Sequence, residues 1–188
     1  DFIDRFVAAV KKVFPRVVLQ WEDFLKENAL FQLARFRDEL CTFNDDVQGT
    51  AGVTLAGLYG ALRITGQRMR DQRFVFAGAG ASAQGISELL LAAMMEDGLT
   101  HEEANRNIWT TDSHGLVSYA RPNVEGYKAT HARSAEEVAG YTCKDRANVT
   151  LLETVENAKA TVLIGVSATP GVFDEAVCRA MGKNSPRP

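Results

Sequence analysis

Two pairs of adjacent carboxylates and one glycine-rich turn are where this sequence could do chemistry. Glu22 and Asp23 follow the run RVVLQW, and Asp45 and Asp46 follow LCTF within the stretch CTFNDDVQGTAG. Both runs are short and rich in β-branched or apolar residues, which predicts strands with the acids at their C-terminal ends. If the two strands lie side by side, Glu22, Asp23 and Asp46 form a three-carboxylate set. Hard divalent cations such as Mg²⁺ and Mn²⁺ prefer oxygen ligands and keep positions open for substrate. Strand C-terminal ends are also where α/β folds bind ligands. Adjacent acids equally make ordinary solvated turns, so residue type alone leaves both readings open.

The segment GAGASAQG sets Gly78, Gly80 and Ala83 in the spacing G-x-G-x-x-A, with Ala79 and Ala81 between them and Gly85 following. It comes after the apolar run RFVFA and before a long amphipathic segment, the context in which such a triplet cradles a dinucleotide. The first glycine permits the tight turn, the second lets a pyrophosphate approach the backbone, and the third small residue lets helix and strand pack closely. The free N–H groups at the helix start would face the phosphates. A flexible turn is the competing reading. The next strand, NIWTTD, ends at Asp112, where an acid could meet the adenosine ribose; a solvated turn acid fits the spacing as well. Arg121 and Lys128 are near enough in sequence to reach a 2′-phosphate, which arginine holds through paired hydrogen bonds. Both also read as surface cations.

Positioning these groups takes a particular order of elements. Phe2, Phe6, Ala9, Val10 and Val13 fall at helical spacing and Pro15 ends that helix. A second helix is expected over 24–38. From Thr50 to Thr65 the pattern is helical, with Gly52, Ala56 and Gly60 on one face. Each interior glycine costs about 1 kcal/mol against alanine, which predicts a buried helix whose smooth face admits another backbone. A helix over 81–95 should turn Ile86, Leu89, Leu90 and Ala93 to the core. Thr100 and Glu103 in THEE have capping-box spacing. Residues 113–148 read as irregular, with a short helix near 135–138. ATVLIGVSA reads as a buried strand of the parallel type, and Asp174 as the N-cap of a helix through Met181. From residue 72 strands and helices alternate, which argues for an α/β fold with a Rossmann-like parallel sheet and helices on both faces.

The chain has 188 residues and a formal net charge of −3, long enough for a real core and too acidic overall for a large nucleic-acid footprint. Cys41, Cys143 and Cys178 are widely spaced, without a metal-type pattern, as suits a reducing compartment. The longest apolar run is too short to span a bilayer, and no secretory signal is visible. An intracellular protein, cytoplasmic or mitochondrial, acting away from membranes and nucleic acid is the expectation. The opening in mid-pattern, without methionine, reads as a piece of a longer polypeptide.

Four stretches together carry a resemblance: WEDF at 21–24, CTFNDDVQGTAGVTLAGL at 41–58, FVFAGAGASAQGI at 74–86 and TVLIGVSATPGVF at 161–173. In order and interval they closely resemble malic enzyme, mainly its coenzyme-binding part. The resemblance implies oxidative decarboxylation of L-malate to pyruvate and CO₂, with NAD or NADP and with Mg²⁺ or Mn²⁺. It puts the metal ligands on Glu22, Asp23 and Asp46. It puts Asp45 beside the catalytic groups, the coenzyme pyrophosphate on Gly78 to Gly85, and the ribose on Asp112. It divides the chain into 1–48, the end of a malate- and metal-binding region, and 49–188, a truncated NAD(P)-binding domain. It also implies a homo-oligomeric parent. The family's catalytic lysine and tyrosine and its malate-binding arginine belong to a segment absent from this sequence. Lys26 departs from the polar residue many members carry near the coenzyme. Ser113 resembles NADP-using members and, with Arg121 and Lys128, tilts the expectation towards NADP, although His114 replaces a lysine many of them have. A dinucleotide-binding regulatory or degenerate homologue without catalysis is the alternative.

Overall fold

The computed structural model describes residues 2–24, 27–124 and 126–188, the side chain of Glu27 excepted. Lys26 therefore lies outside the described residues.

The first part is a small layer of two helices and two strands. Helix α1 (Phe2–Val13) buries Val7 against Trp21 and Phe36, while Phe2 and Val13 stay exposed. Strand β1 (Leu19–Trp21) pairs in parallel with β2 (Thr42–Asn44), setting Leu19 opposite Thr42 and Trp21 opposite Asn44, and α2 (Glu27–Phe36) connects them. The Thr42 hydroxyl donates to the Leu19 carbonyl at 2.6 Å and helps fix that register. A π-helical turn, Asp45–Gly49, leads directly into α3 (Thr50–Thr65).

The second part is a four-stranded sheet. Strand β3 (Phe74–Ala77) is followed by α4 (Ala81–Glu96) and α5 (His101–Asn105), then by β4 (Ile108–Asp112) and β5 (Gly115–Leu116). Helices α6 (Ala135–Ala139) and α7 (Leu151–Ala158) precede β6 (Val162–Gly165), and α8 (Glu175–Asn184) closes the order. The strands run β5-β4-β3-β6, parallel except for the β4–β5 pair. Side chains alternate across β3 as strand geometry requires. Phe74 and Phe76 join Ile86, Leu90 and Met94 on the α3–α4 side, and Val75 joins Trp109, Val155 and Met181 on the α7–α8 side. Helices thus cover both faces, as the alternating pattern predicts. Among the described residues no helix is long and apolar enough to cross a membrane.

Two expectations are corrected. Helix α3 is not buried: it packs through Ala51, Leu55, Leu58 and Leu62, and only the first and last of these are fully covered. Its glycine face is open, since a Cβ at Gly52, Gly57 or Gly60 would meet nothing within 4 Å, and Val53 and Ile64 are each 76% exposed. Strand β6 is not fully buried either. It lies at the end of the sheet order, its apolar residues are half-covered, and among the described residues no strand pairs with its outer side.

Candidate functional site

The parallel pairing of β1 and β2 carries both acidic pairs to the same end of their sheet. Glu22, Asp23 and Asp46 each offer a carboxylate oxygen there, and these oxygens all lie within 4.8 Å of one another. The oxygens of an octahedral site with ~2.1 Å bonds sit roughly 3–4 Å apart, so a small closure brings these three into range. Local hydrogen bonds hold the set. The Asp23 N–H donates to Asp46 Oδ2 at 3.0 Å, and the Gln20 amide donates to Glu22 Oε2 at 2.5 Å. Asp23 takes a left-handed backbone, φ 58°. Donor type, number and spacing fit a hard divalent cation.

Asn44 directs the turn that presents Asp46. Its side chain is buried and accepts from the Val47 N–H at 2.9 Å, while its own N–H donates to the Gln48 side chain at 3.0 Å. Asp45 stands outside the three-oxygen group. Its carbonyl accepts from the Thr50 N–H and hydroxyl, and its carboxylate folds over Gly49, where any Cβ would come within 2.1 Å of Oδ1.

The glycine turn begins where β3 ends. Gly78, at φ 126°, lies so close to the end of β6 that a Cβ would approach the Val166 carbonyl oxygen to 2.6 Å. Gly80 is the N-cap of α4 with no side-chain cap, and its Cβ direction is open space. Uncapped N–H groups beside an open approach are what a pyrophosphate needs. Ala83 is buried in the core. Gly85 serves another contact: its missing Cβ leaves room for the Val47 carbonyl, which would otherwise lie 2.2 Å away. The turn bearing Asp46 therefore rests directly on α4. Strand β3 lies between β4 and β6, so the sheet's order reverses beside it, the point where open α/β sheets bind ligands. A cavity of about 280 Å³ opens there, lined by Ala77, Gly165, Ser167, Thr169 and Phe173.

Asp112 ends β4 in a dense cluster. Arg121 donates to both of its oxygens at 2.8 and 2.7 Å, Lys128 Nζ reaches Oδ2 at 2.9 Å, and the His114 N–H reaches Oδ1 at 2.9 Å. Burial pushes the Asp112 carboxyl up, but the hydrogen bonds from Arg121, Lys128 and His114 outweigh it and hold it well below the usual carboxylate range. Ser113 is exposed beside it. The sequence reading missed Gln20 as a support for Glu22; its position two residues earlier on the same strand face was the available signal. Arg121 and Lys128, expected as cations within reach of a ligand, are both engaged by Asp112.

The family model described as malic enzyme, NAD binding domain, matches residues 47–188. The chain is 44% identical over 188 residues to the NAD-dependent malic enzyme of Pectobacterium carotovorum, covering all of this chain and 33% of that protein. The NAD-dependent malic enzyme of Proteus mirabilis matches equally, at 44% over 188 residues and 33% of its length. The chain thus spans about a third of the curated relatives it matches. Among solved structures, the malic enzyme of Entamoeba histolytica superposes with a TM-score of 0.72 over 95% of this chain and 34% of that one, at 24% identity. The NAD-dependent malic enzyme of Thermotoga maritima gives 0.63 over 87% and 40%, also at 24% identity. At that identity the structural likeness speaks for the fold. The relatives' names give the expected tilt towards NADP no support.

Proposed function

Since the chain belongs to the malic enzyme family, as its NAD-binding part, we propose that it carries the coenzyme site and three metal ligands of an enzyme that oxidatively decarboxylates L-malate to pyruvate and CO₂ with NAD. The observation that carries this reading is the convergence of Glu22, Asp23 and Asp46 from two parallel strands. That set beside an intact glycine turn argues against a degenerate, non-catalytic relative. The proposed division is a metal-bearing segment 1–48 and a coenzyme-binding segment 49–188.

Glu22, Asp23 and Asp46 would hold the divalent ion, which when bound supplies Lewis acidity towards the hydroxyl and carbonyl oxygens of the substrate. Gln20 and the Asp23 N–H keep two of the three carboxylates aimed before any ligand arrives. The start of α4 and Gly80 receive the pyrophosphate of NAD, the hydride acceptor, while Gly78 lets β3 and β6 approach closely behind it. Asp112 is the acceptor for the adenosine ribose. Asp45 has no hydrogen bond or ion pair to its carboxylate among the described residues, which leaves it available to orient or exchange a proton with a neighbouring group. A homo-oligomeric parent is part of the proposal.

The test uses the full-length polypeptide with malate, Mn²⁺ and NAD, following NADH absorbance, alongside Asp46→Asn. Turnover in the wild type and its loss in the variant, with Mn²⁺ binding weakened in parallel, is the expected result. An Asp46→Asn protein that binds Mn²⁺ and turns over malate normally would remove the metal assignment.

A further inference from the structure

We propose that Gly49 is a positioning residue for the reaction: its bare α-carbon is the seat in which the Asp45 carboxylate is kept, and any larger residue there turns that carboxylate out of place. The inference rests on the reading of Asp45 as a group that works beside the metal. Asp45 opens the π-helical turn and Gly49 closes it, four residues on. Helical residues at that spacing are neighbours on one face. A helical Cα–Cβ bond leans towards the N-terminus, so a Cβ at position 49 would point back at the side chain of position 45.

Backbone geometry does not call for glycine at this position. Gly49 is right-handed helical, φ −65° and ψ −50°, a conformation open to every residue type but proline's neighbours. Alanine is the better helix former there. What excludes a side chain is one neighbour. Outside the helix's own backbone and the adjoining residues, the three atoms nearest to a Cβ at 49 all belong to Asp45: Oδ1 at 2.1 Å, Cγ at 2.9 Å and Oδ2 at 3.6 Å. The main chain of Asp45 is fixed, since its carbonyl accepts from the Thr50 N–H and hydroxyl. Its carboxylate has no hydrogen bond or ion pair among the described residues. The rotamer of Asp45 is therefore the part that yields, and a methyl at 49 changes it. Asp46 is held separately, with its Oδ2 accepting from the Asp23 N–H, so the metal ligand does not depend on this seat.

Steady-state kinetics on the full-length polypeptide with malate, Mn²⁺ and NAD would compare the wild type, Asp45→Asn, Asp45→Ala, Gly49→Ala and the double variant Asp45→Ala/Gly49→Ala. Gly49→Ala should lower kcat by about ten- to a hundredfold, the scale of a misplaced reacting group. Mn²⁺ affinity and the KM for malate should stay near their wild-type values. In the Asp45→Ala background the same change should leave the residual kcat within about twofold, because the carboxylate it collides with is gone. Wild-type kcat in Gly49→Ala beside an impaired Asp45→Asn would overturn the seat and leave the role of Asp45 standing. An equal drop in both backgrounds, or a drop matched by loss of Mn²⁺ affinity, would overturn it as well. Wild-type turnover in Asp45→Asn would remove the role of Asp45 and the seat together. Should Gly49→Ala not fold, folding itself is the readout: a folded double variant supports the seat, and failure of the double variant too overturns it.

Discussion

Replacing Gly85 by alanine should damage stability and metal binding at once. A Cβ there would lie 2.2 Å from the Val47 carbonyl oxygen and 2.8 Å from its carbonyl carbon. These are backbone atoms, so they cannot rotate aside as a side-chain tip would. Alanine inside a helix gains about 1 kcal/mol over glycine. Forcing a methyl into close-packed atoms costs roughly 1–3 kcal/mol. With an overlap beyond an ångström against backbone, the upper part of that range applies, and the net loss is about 1–2 kcal/mol. Val47 directly follows Asp46, so a turn pushed off α4 drags a metal ligand with it. Mn²⁺ affinity should fall by roughly tenfold or more, the scale of losing a ligand's support. Gly182→Ala in α8 is the control, because its Cβ would meet nothing within 4 Å. Urea unfolding and Mn²⁺ titration by electron paramagnetic resonance read both effects. A Gly85→Ala protein as stable as Gly182→Ala, with unchanged Mn²⁺ affinity, would refute the reasoning.

Gln20→Ala should weaken Mn²⁺ binding by roughly 10- to 100-fold, as loss of a ligand's hydrogen-bond partner does, with little change in unfolding free energy; equal affinity in a Mn²⁺ titration would dismiss its supporting role. Burial, helped by the charges of Arg133 and His101, lowers the buried His131 to about 4. A histidine whose folded pKa is depressed below its ordinary 6.5 makes the fold less stable as pH falls from about 6.5 to about 4, with no further loss below. The drop is up to about 3 kcal/mol, and His131→Gln should flatten it in urea unfolding measured across that window. The 188-residue chain alone should turn over no malate, since the resemblance assigns the family's lysine, tyrosine and malate-binding arginine to residues outside it. Steady NADH production by the chain, free of full-length protein, would reverse that.

Local signals read well in this sequence wherever neighbouring residues settle the outcome. The Thr100–Glu103 capping box forms with both of its hydrogen bonds, and α3 runs from Thr50 to Thr65 as its periodicity predicts. The same box at Thr150 and Glu153 starts α7, a helix left unassigned between the irregular stretch 113–148 and the strand ATVLIGVSA. The exposure of α3 and the edge position of β6 were not legible, because both depend on which partner lies across a face, and a repeat of small or apolar residues is the same whether that partner is present or not. The three acids could be grouped by strand position, but the support from Gln20 and the backbone twist at Asp23 exist only once the strands pair. Arg121 and Lys128 were legible as cations. That a single carboxylate engages both of them is a fact of three-dimensional proximity, with sequence separations of nine and sixteen residues.

Asp23 bears on how this protein would change under selection. Among the described residues it is one of three non-glycine residues with positive φ, a backbone state that glycine adopts without penalty and asparagine tolerates. Glycine at this position would relieve about 1 kcal/mol of local strain while deleting a carboxylate. A mutant library sorted only for heat resistance should therefore drift at position 23 towards glycine or asparagine. The same library sorted for Mn²⁺-dependent growth on malate should hold the aspartate. The divergence of the two pools at this codon would measure how far function, rather than folding, keeps that residue in place.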